Sequence, residues 1–258
     1  MRTRVPASLV SLAAGAVAWE LIGRLSGVPF FPPLSTVAAR LAEMAMDGEI
    51  FQSVADSLVN LLIGFAISLV AGLLVGVAMG RYRKVDAALG VYVYALLTAP
   101  ALVFAPIFFS LLGDGRASII AVVVMYALFV IVINTASAIQ TVPADLVEMA
   151  RSYGASERQI LLRVLLPAAT PMIMAGVRLG VGRAVTGMIN GEMFIAVVGL
   201  GHIVTEAGGR FDSASVLAVL LVIIAVALGA VWLVQAGTEP VRGGHRGQRE
   251  PYWEIDRR

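Results

Sequence analysis

Three stretches of this 258-residue chain, 57–80, 87–113 and 213–238, contain no charged side chain. A hydrocarbon core about 30 Å thick is crossed by roughly 20 apolar residues rising 1.5 Å each. Each stretch is long enough for one passage. The chain as a whole agrees, with 59% hydrophobic and 14% charged residues, against roughly 25% charged in ordinary globular domains. That excludes a water-soluble enzyme, a disordered chain and a single-span receptor with a large ectodomain. The sequence describes an all-α, multi-span integral membrane protein.

Apolar runs predict six transmembrane helices, at about 8–25, 57–79, 88–112, 117–136, 172–197 and 214–234, in a single domain over 1–258. Basic residues orient them. With the N-terminus inside, inside segments hold Arg2, Arg4, Arg81, Arg83, Lys84, Arg151, Arg158, Arg163, Arg242, Arg246, Arg249, Arg257 and Arg258. Outside segments hold only Arg24, Arg40, Arg116 and Arg210, while Arg178 and Arg183 fall within the fifth span. Both termini are therefore expected on the cytoplasmic side. Arg2 and Arg4 before an apolar run also fit a signal peptide, which charge asymmetry does not distinguish from a first span. The run continues through Leu21 and Ile22 without a stop, which favours a retained helix.

Several chemistries are missing. Cys is absent, so there is no disulfide, thiol nucleophile or thiolate metal site. The two histidines, His202 and His245, have no metal-type spacing, and no metal site is expected. The only lysine, Lys84, precedes Val85, whereas a Walker A loop needs Lys followed by Ser or Thr after a Gly-rich turn. The net charge of +2 reports membrane topology rather than nucleic-acid binding.

Two extramembrane segments carry helix signals. After Phe31-Pro32-Pro33, Ser35 is a suitable N-cap, and Val37, Leu41 and Met44 share a helical face until Gly48. This predicts a short helix on the outer surface. The inside loop 137–170 is the longest. Pro143 suits a first helical turn, with Asp145 and Glu148 near the positive end of the helix dipole. Gly154 suits a left-handed C-terminal cap. Ser156 and Gln159 form a capping box opening a second helix that Pro167 stops. Thr170 and Pro171 then read as the N-cap and first residue of the fifth span.

Glu148-Met149-Ala150, Gly154, Val164 and Leu166-Pro167 together resemble the EAA loop of bacterial ABC importer permeases. Met149 replaces the usual Ala and Val164 the usual Ile; methionine is adaptable in a packed site. The resemblance extends to Trp19-Glu20, Phe31-Pro32-Pro33-Leu34-Ser35, Ser57-Leu58 through Gly64-Phe65, Pro100, Pro106 and Arg178 through Arg183. It is nearest to the nitrate, sulfonate and taurine type. Asn60, where that type has a basic residue, and Asn190-Gly191 before Glu192 depart from it.

The resemblance implies a type I importer permease with six spans, acting as a homodimer. Two ATPase subunits carrying ATP and Mg, and an extracytoplasmic substrate-binding protein, would serve it; this chain would hold no cofactor and no catalytic residue. The helix at about 144–153 would be the coupling helix, with Glu148 capping it or pairing with a basic residue of the ATPase.

The fifth span carries the second set of candidates. Gly176, Gly180, Ala184, Gly187 and Gly191 form a small-residue stripe, suited to close helix packing within the subunit or at the dimer axis. A similar run, Gly72, Gly76 and Gly80, reads as packing. Arg178, Arg183 and Glu192 are charges that face a bundle interior or a water-filled path, unless the arginines snorkel to the surface. Glu192 would pair with an arginine, accept from Asn190 or help close an outer gate, and Pro100 and Pro106 would kink the third span and shape the path. Two other classes compete. An ion-coupled carrier needs carboxylates within its spans, where only Glu20 and Glu192 stand, and no inverted repeat is evident. A membrane-embedded enzyme lacks a His cluster or a GxSxG elbow. The Arg-rich tail 237–258, with Tyr252-Trp253, suits anionic lipid headgroups or the ATPase.

Overall fold

The computed structural model describes residues 7–28, 30–195 and 198–236. The tail 237–258 and the first six residues, with Arg2 and Arg4, lie outside them. All regular structure among the described residues is helical. The helices are α1 (Ala7–Leu25), α2 (Leu34–Met46), α3 (Glu49–Arg81), α4 (Arg83–Thr98), α5 (Ala105–Leu112), α6 (Arg116–Gln140), α7 (Ala144–Ser152), α8 (Glu157–Ile160), α9 (Leu166–Ile195), α10 (Leu200–Gly209) and α11 (Ser213–Ala236). Four helical stretches are long and apolar enough to cross a membrane: α3, α6, the continuous run Glu157–Ile195, and α11. A fifth arises if α4 and Ala101–Leu112 count as one broken span.

The expected third span is thus interrupted. Proline disfavours helical geometry in the residue before it, and Ala99 is extended (φ −61°, ψ 139°) ahead of Pro100. The chain resumes as a 3₁₀ turn over Ala101–Phe104. Pro106 does not kink a helix; it lies in the first turn of α5, where its missing N–H costs nothing.

The fifth span differs in the opposite sense. Pro167 does not stop a helix and Thr170 is no N-cap. A π-helical turn, Leu161–Leu165, joins α8 to α9, and the Leu166 N–H bonds the Leu161 carbonyl five residues back. The wider turn relieves the clash that a proline ring makes with the carbonyl four residues earlier. The Thr170 hydroxyl donates to the Leu166 carbonyl at 2.6 Å, and α9 runs on through Pro171.

The chain divides into two compact units. The first comprises 1–66, 100–126 and 184–227. Its core gathers Val37 and Met44 of α2, Ile50 of α3, Leu200 and Ile203 of α10, and Ala218 and Val219 of α11. The predicted face of α2 is therefore the buried one. Its N-cap is Pro33 rather than Ser35. Ser35 instead meets Glu20 of α1, whose Oε2 accepts the Ser35 N–H at 2.9 Å and whose Oε1 accepts its hydroxyl at 2.8 Å.

Among the described residues, the second unit comprises 67–99, 127–183 and the stretch from 228 to 236. Met79 of α3, Val93 of α4, and Val132 and Ala136 of α6 form its core.

Within each unit, glycines bring α3 and α9 against α6. In the second unit, a Cβ on Gly72, Gly76 or Gly180 would lie 2.6–2.8 Å from Ile131 or Thr135 of α6. One on Gly176 would lie 2.3 Å from Asn134 Cβ. In the first unit, Gly64 meets Val123, Gly187 meets Tyr126, and Gly191 meets Val122 in the same way. Ala184 is fully buried. The stripe of α9 thus packs against α6 of the same subunit.

Candidate functional site

The loop after α6 folds into the two capped helices read from its sequence. Pro143 takes the N-cap position of α7, with Asp145 in its first turn and Arg151 in its last. Gly154 has φ +77°, a region that other residues adopt only with strain. The turn closes with the Gly154 N–H on the Arg151 carbonyl at 2.9 Å and the Ala155 N–H on the Ala150 carbonyl at 3.0 Å. These are the two bonds of a Schellman motif. The capping box is also present: the Ser156 N–H donates to Gln159 Oε1 at 2.8 Å, and the Gln159 N–H to Ser156 Oγ at 3.4 Å.

Between these caps stands Glu157, the first residue of α8. Its Oε1 accepts from Arg151 of α7 at 3.2 Å, and its Oε2 pairs with Arg81, the last residue of α3. One carboxylate thereby ties α7, α8 and the end of α3. Ile160 and Leu165 are buried and anchor the segment, whereas Val164 and Leu166 are half-buried and Pro167 is exposed.

The other side of α7 is bare. Leu146, Met149 and Tyr153, three and four residues apart, are exposed, Met149 to 54% and Tyr153 to 87%. Met149 is therefore not a buried residue in this subunit. The Glu148 carboxylate is exposed and makes no bond among the described residues.

Of the candidates for the path, Arg178 and Arg183 belong to the second unit, and Asn190, Glu192, Pro100 and Pro106 to the first. Arg183 is exposed, and Arg178 Nε is buried without an acceptor among the described residues. Asn190 donates to the Tyr126 hydroxyl at 2.8 Å.

Glu192 pairs with neither an arginine nor Asn190. It is fully buried, and three donors converge on its carboxyl group. The Ser57 hydroxyl reaches Oε2 at 2.8 Å, the Gly201 N–H reaches Oε2 at 3.1 Å, and Asn60 Nδ2 reaches Oε1 at 3.0 Å. Ser57 Oγ in turn accepts the Leu200 N–H at 2.9 Å. Leu200 and Gly201 open α10, and the first N–H groups of a helix have no partner within it. Glu192 thus caps α10 from α9, with Ser57 completing the cap. Space is tight: a Cβ on Gly199 would lie 2.3 Å from Glu192 Cδ, and one on Gly201 2.6 Å from Glu192 Cβ. Glu20 does the same for α2 through Ser35. Both acids within the expected spans thus bond the N–H groups that open a neighbouring helix.

Helices of membrane length and a polar loop of two capped helices are what this chain has in common with a family of transport permeases. The chain belongs to the family of binding-protein-dependent transport system inner membrane components, whose profile matches residues 68–236. It is similar to the putative aliphatic sulfonates transport permease protein SsuC of Bacillus subtilis, with 30% identity over 73% of this chain and 69% of that one. It is 32% identical to the riboflavin transport system permease protein RibX of Chloroflexus aurantiacus, over 85% and 82% of the two chains. Among solved structures, the inward-facing MetNI methionine ABC transporter superposes with a TM-score of 0.56 at 25% identity, covering 75% of this chain and 93% of that one. The chain is an inner-membrane permease component of an ABC importer and shares its fold with the MetNI permease.

Proposed function

We propose that this chain forms the translocation path for a small organic or inorganic anion, nitrate-like or sulfonate-like, as a homodimer. Two ATPase subunits holding ATP and Mg drive it, and an extracytoplasmic binding protein delivers the solute. The observation that carries this reading is α7, a short helix fixed at both ends whose Leu146, Met149 and Tyr153 face is uncovered among the described residues. An apolar helix face presented by a polar loop suits a hydrophobic groove on a partner, here a cleft on the ATPase. Glu148, unbonded on the same helix, pairs with a basic residue there. Closure of the two ATPases draws the paired α7 helices together and turns the path from outward to inward access.

The six-span arrangement follows, with α1 as the first span, the α4–α5 pair as a broken third, and both termini cytoplasmic. Each arginine assigned to the outside is held by a carboxylate: Arg24 by Glu20, Arg40 by Glu43, Arg116 by Asp56 and Arg210 by Glu206. Of the basic residues assigned inside, Arg81 and Arg151 share Glu157. Arg178 and Arg183 supply the attraction for an anion, since arginines within a span face protein or water rather than lipid. The two relatives named above carry different solutes in their names, so the arginines support the anion more than the names do.

Replacing Leu146 and Met149 together by Asp tests the reading. The ATPase should no longer co-purify, while the permease remains in the membrane. Retention of the ATPase at wild-type stoichiometry would remove α7 from the contact.

A further inference from the structure

The helices α7 and α10 end in the same way, but with different residues at the critical place. At the end of α10, the Phe211 N–H bonds the Gly208 carbonyl at 3.1 Å and the Asp212 N–H bonds the Ala207 carbonyl at 2.9 Å. This is the Schellman pattern again, and it requires a left-handed residue. In α7 that residue is Gly154; in α10 it is Phe211, at φ +58°. Among the described residues, Phe211 is the only non-glycine at positive φ. Gly208 and Gly209 stand just before it without adopting that conformation.

Such strain persists only where the surroundings impose it, and here they do. Asp212 accepts the Ser215 N–H at 3.1 Å and its hydroxyl at 2.5 Å. Arg40 Nε donates to Ser215 Oγ at 2.8 Å, fixing the corner from α2. The subunit gains little packing in return. The Phe211 ring is 76% exposed and meets, edge to face at 6.1 Å, the ring of Phe30, itself 61% exposed. Beside Phe211 lies a polar cavity of about 130 Å³, whose charged lining is Arg40, Glu49, Glu206, Arg210 and Asp212.

We infer that Phe211 and Phe30 form the anchor on which the binding protein docks, with the neighbouring cavity receiving a basic side chain of that partner. Clustered aromatic rings are the side chains that dominate protein contacts. Three carboxylates against two guanidiniums in the cavity select a positive group. The same charges around the rings argue against burial in lipid. The inference rests on the permease reading, with the α10–α11 turn on the extracytoplasmic side.

The test uses the permease–ATPase complex in nanodiscs and the purified binding protein of the same transport system. Phe211→Gly relieves the backbone while deleting the ring, and Phe211→Asn does so with a side chain that tolerates this φ. Both should weaken docking at least about tenfold while the melting midpoint of the complex holds or rises. Phe30→Ala should weaken docking in the same sense. Unchanged affinity in both Phe211 variants would overturn the assignment. A lower midpoint would show that the ring serves the fold instead, and loss of the permease dimer would assign the surface to a second copy. If the wild-type complex binds no binding protein at all, the permease reading fails rather than the assignment of Phe211.

Discussion

Replacing Glu192 by Ala should open the start of α10. The change removes the acceptor of three donors, Ser57 Oγ, Asn60 Nδ2 and the Gly201 N–H. The Ser57 hydroxyl can turn elsewhere, but the Asn60 amide and the Gly201 N–H are buried and have no other acceptor among the described residues. Each orphaned buried donor costs about 1–3 kcal/mol, so the loss is about 2–6 kcal/mol before any cavity forms. Each 1.4 kcal/mol is about a factor of ten. Amide hydrogen exchange at Leu200 and Gly201 should therefore quicken by at least about 30-fold. Glu192→Gln should lie between Ala and wild type. Its amide can donate to Asn60 Oδ1, which has no partner beside Glu192, once the Asn60 amide turns over. Wild-type protection of Leu200 and Gly201 in the Ala variant would refute the cap.

Three further expectations are open to measurement. Gly154→Val forces a β-branched residue to φ +77° at a cost of at least about 1–2 kcal/mol; the protein should stay in the membrane while ATP hydrolysis no longer drives uptake, and normal uptake would count against α7 as the coupling helix. Gly180→Leu drives a side chain into Ile131, whose Cγ1 would lie 2.6 Å from the new Cβ; overpacking of this kind costs about 1–3 kcal/mol and should lower the melting midpoint in detergent. The Ser215 hydroxyl bonded to Asp212 holds that carboxyl below its ordinary range, so its stabilisation is complete above about pH 4, the ordinary value, and is lost as pH falls through the lower folded value. Protection of the α10–α11 corner should thus hold down to about pH 4 and decline only below it, whereas Asp212→Asn should show weaker protection with little pH dependence.

The sequence was most informative where structure depends on near neighbours. Gly154 and the Ser156–Gln159 box are local signals, and both appear as read. The buried face of α2 follows from the spacing of Val37, Leu41 and Met44. The prolines misled for the same reason: Pro167 and Pro171 look like breaks until the π turn before them is known. Glu192 was visible as a charge in a span, but its partners Ser57 and Asn60 lie 135 and 132 residues away. Nothing in the pattern around Ser57 announces the pairing. Asn60 was flagged only because it departs from the expected basic residue, and its amide now stands on the Glu192 carboxyl group. The glycine stripe was legible as a close approach, while its partner helix α6 was not. Phe211 carried no signal, since its φ comes from the turn and not from its own preference.

Transport through this chain is proposed to run on ATP held by partner subunits. Its most direct test is solute uptake into proteoliposomes holding this chain, the ATPase and the binding protein, with ATP or an ion gradient supplied separately. Uptake should require ATP and the binding protein and persist when the ion gradient is collapsed. Uptake driven by an ion gradient without ATP would contradict it.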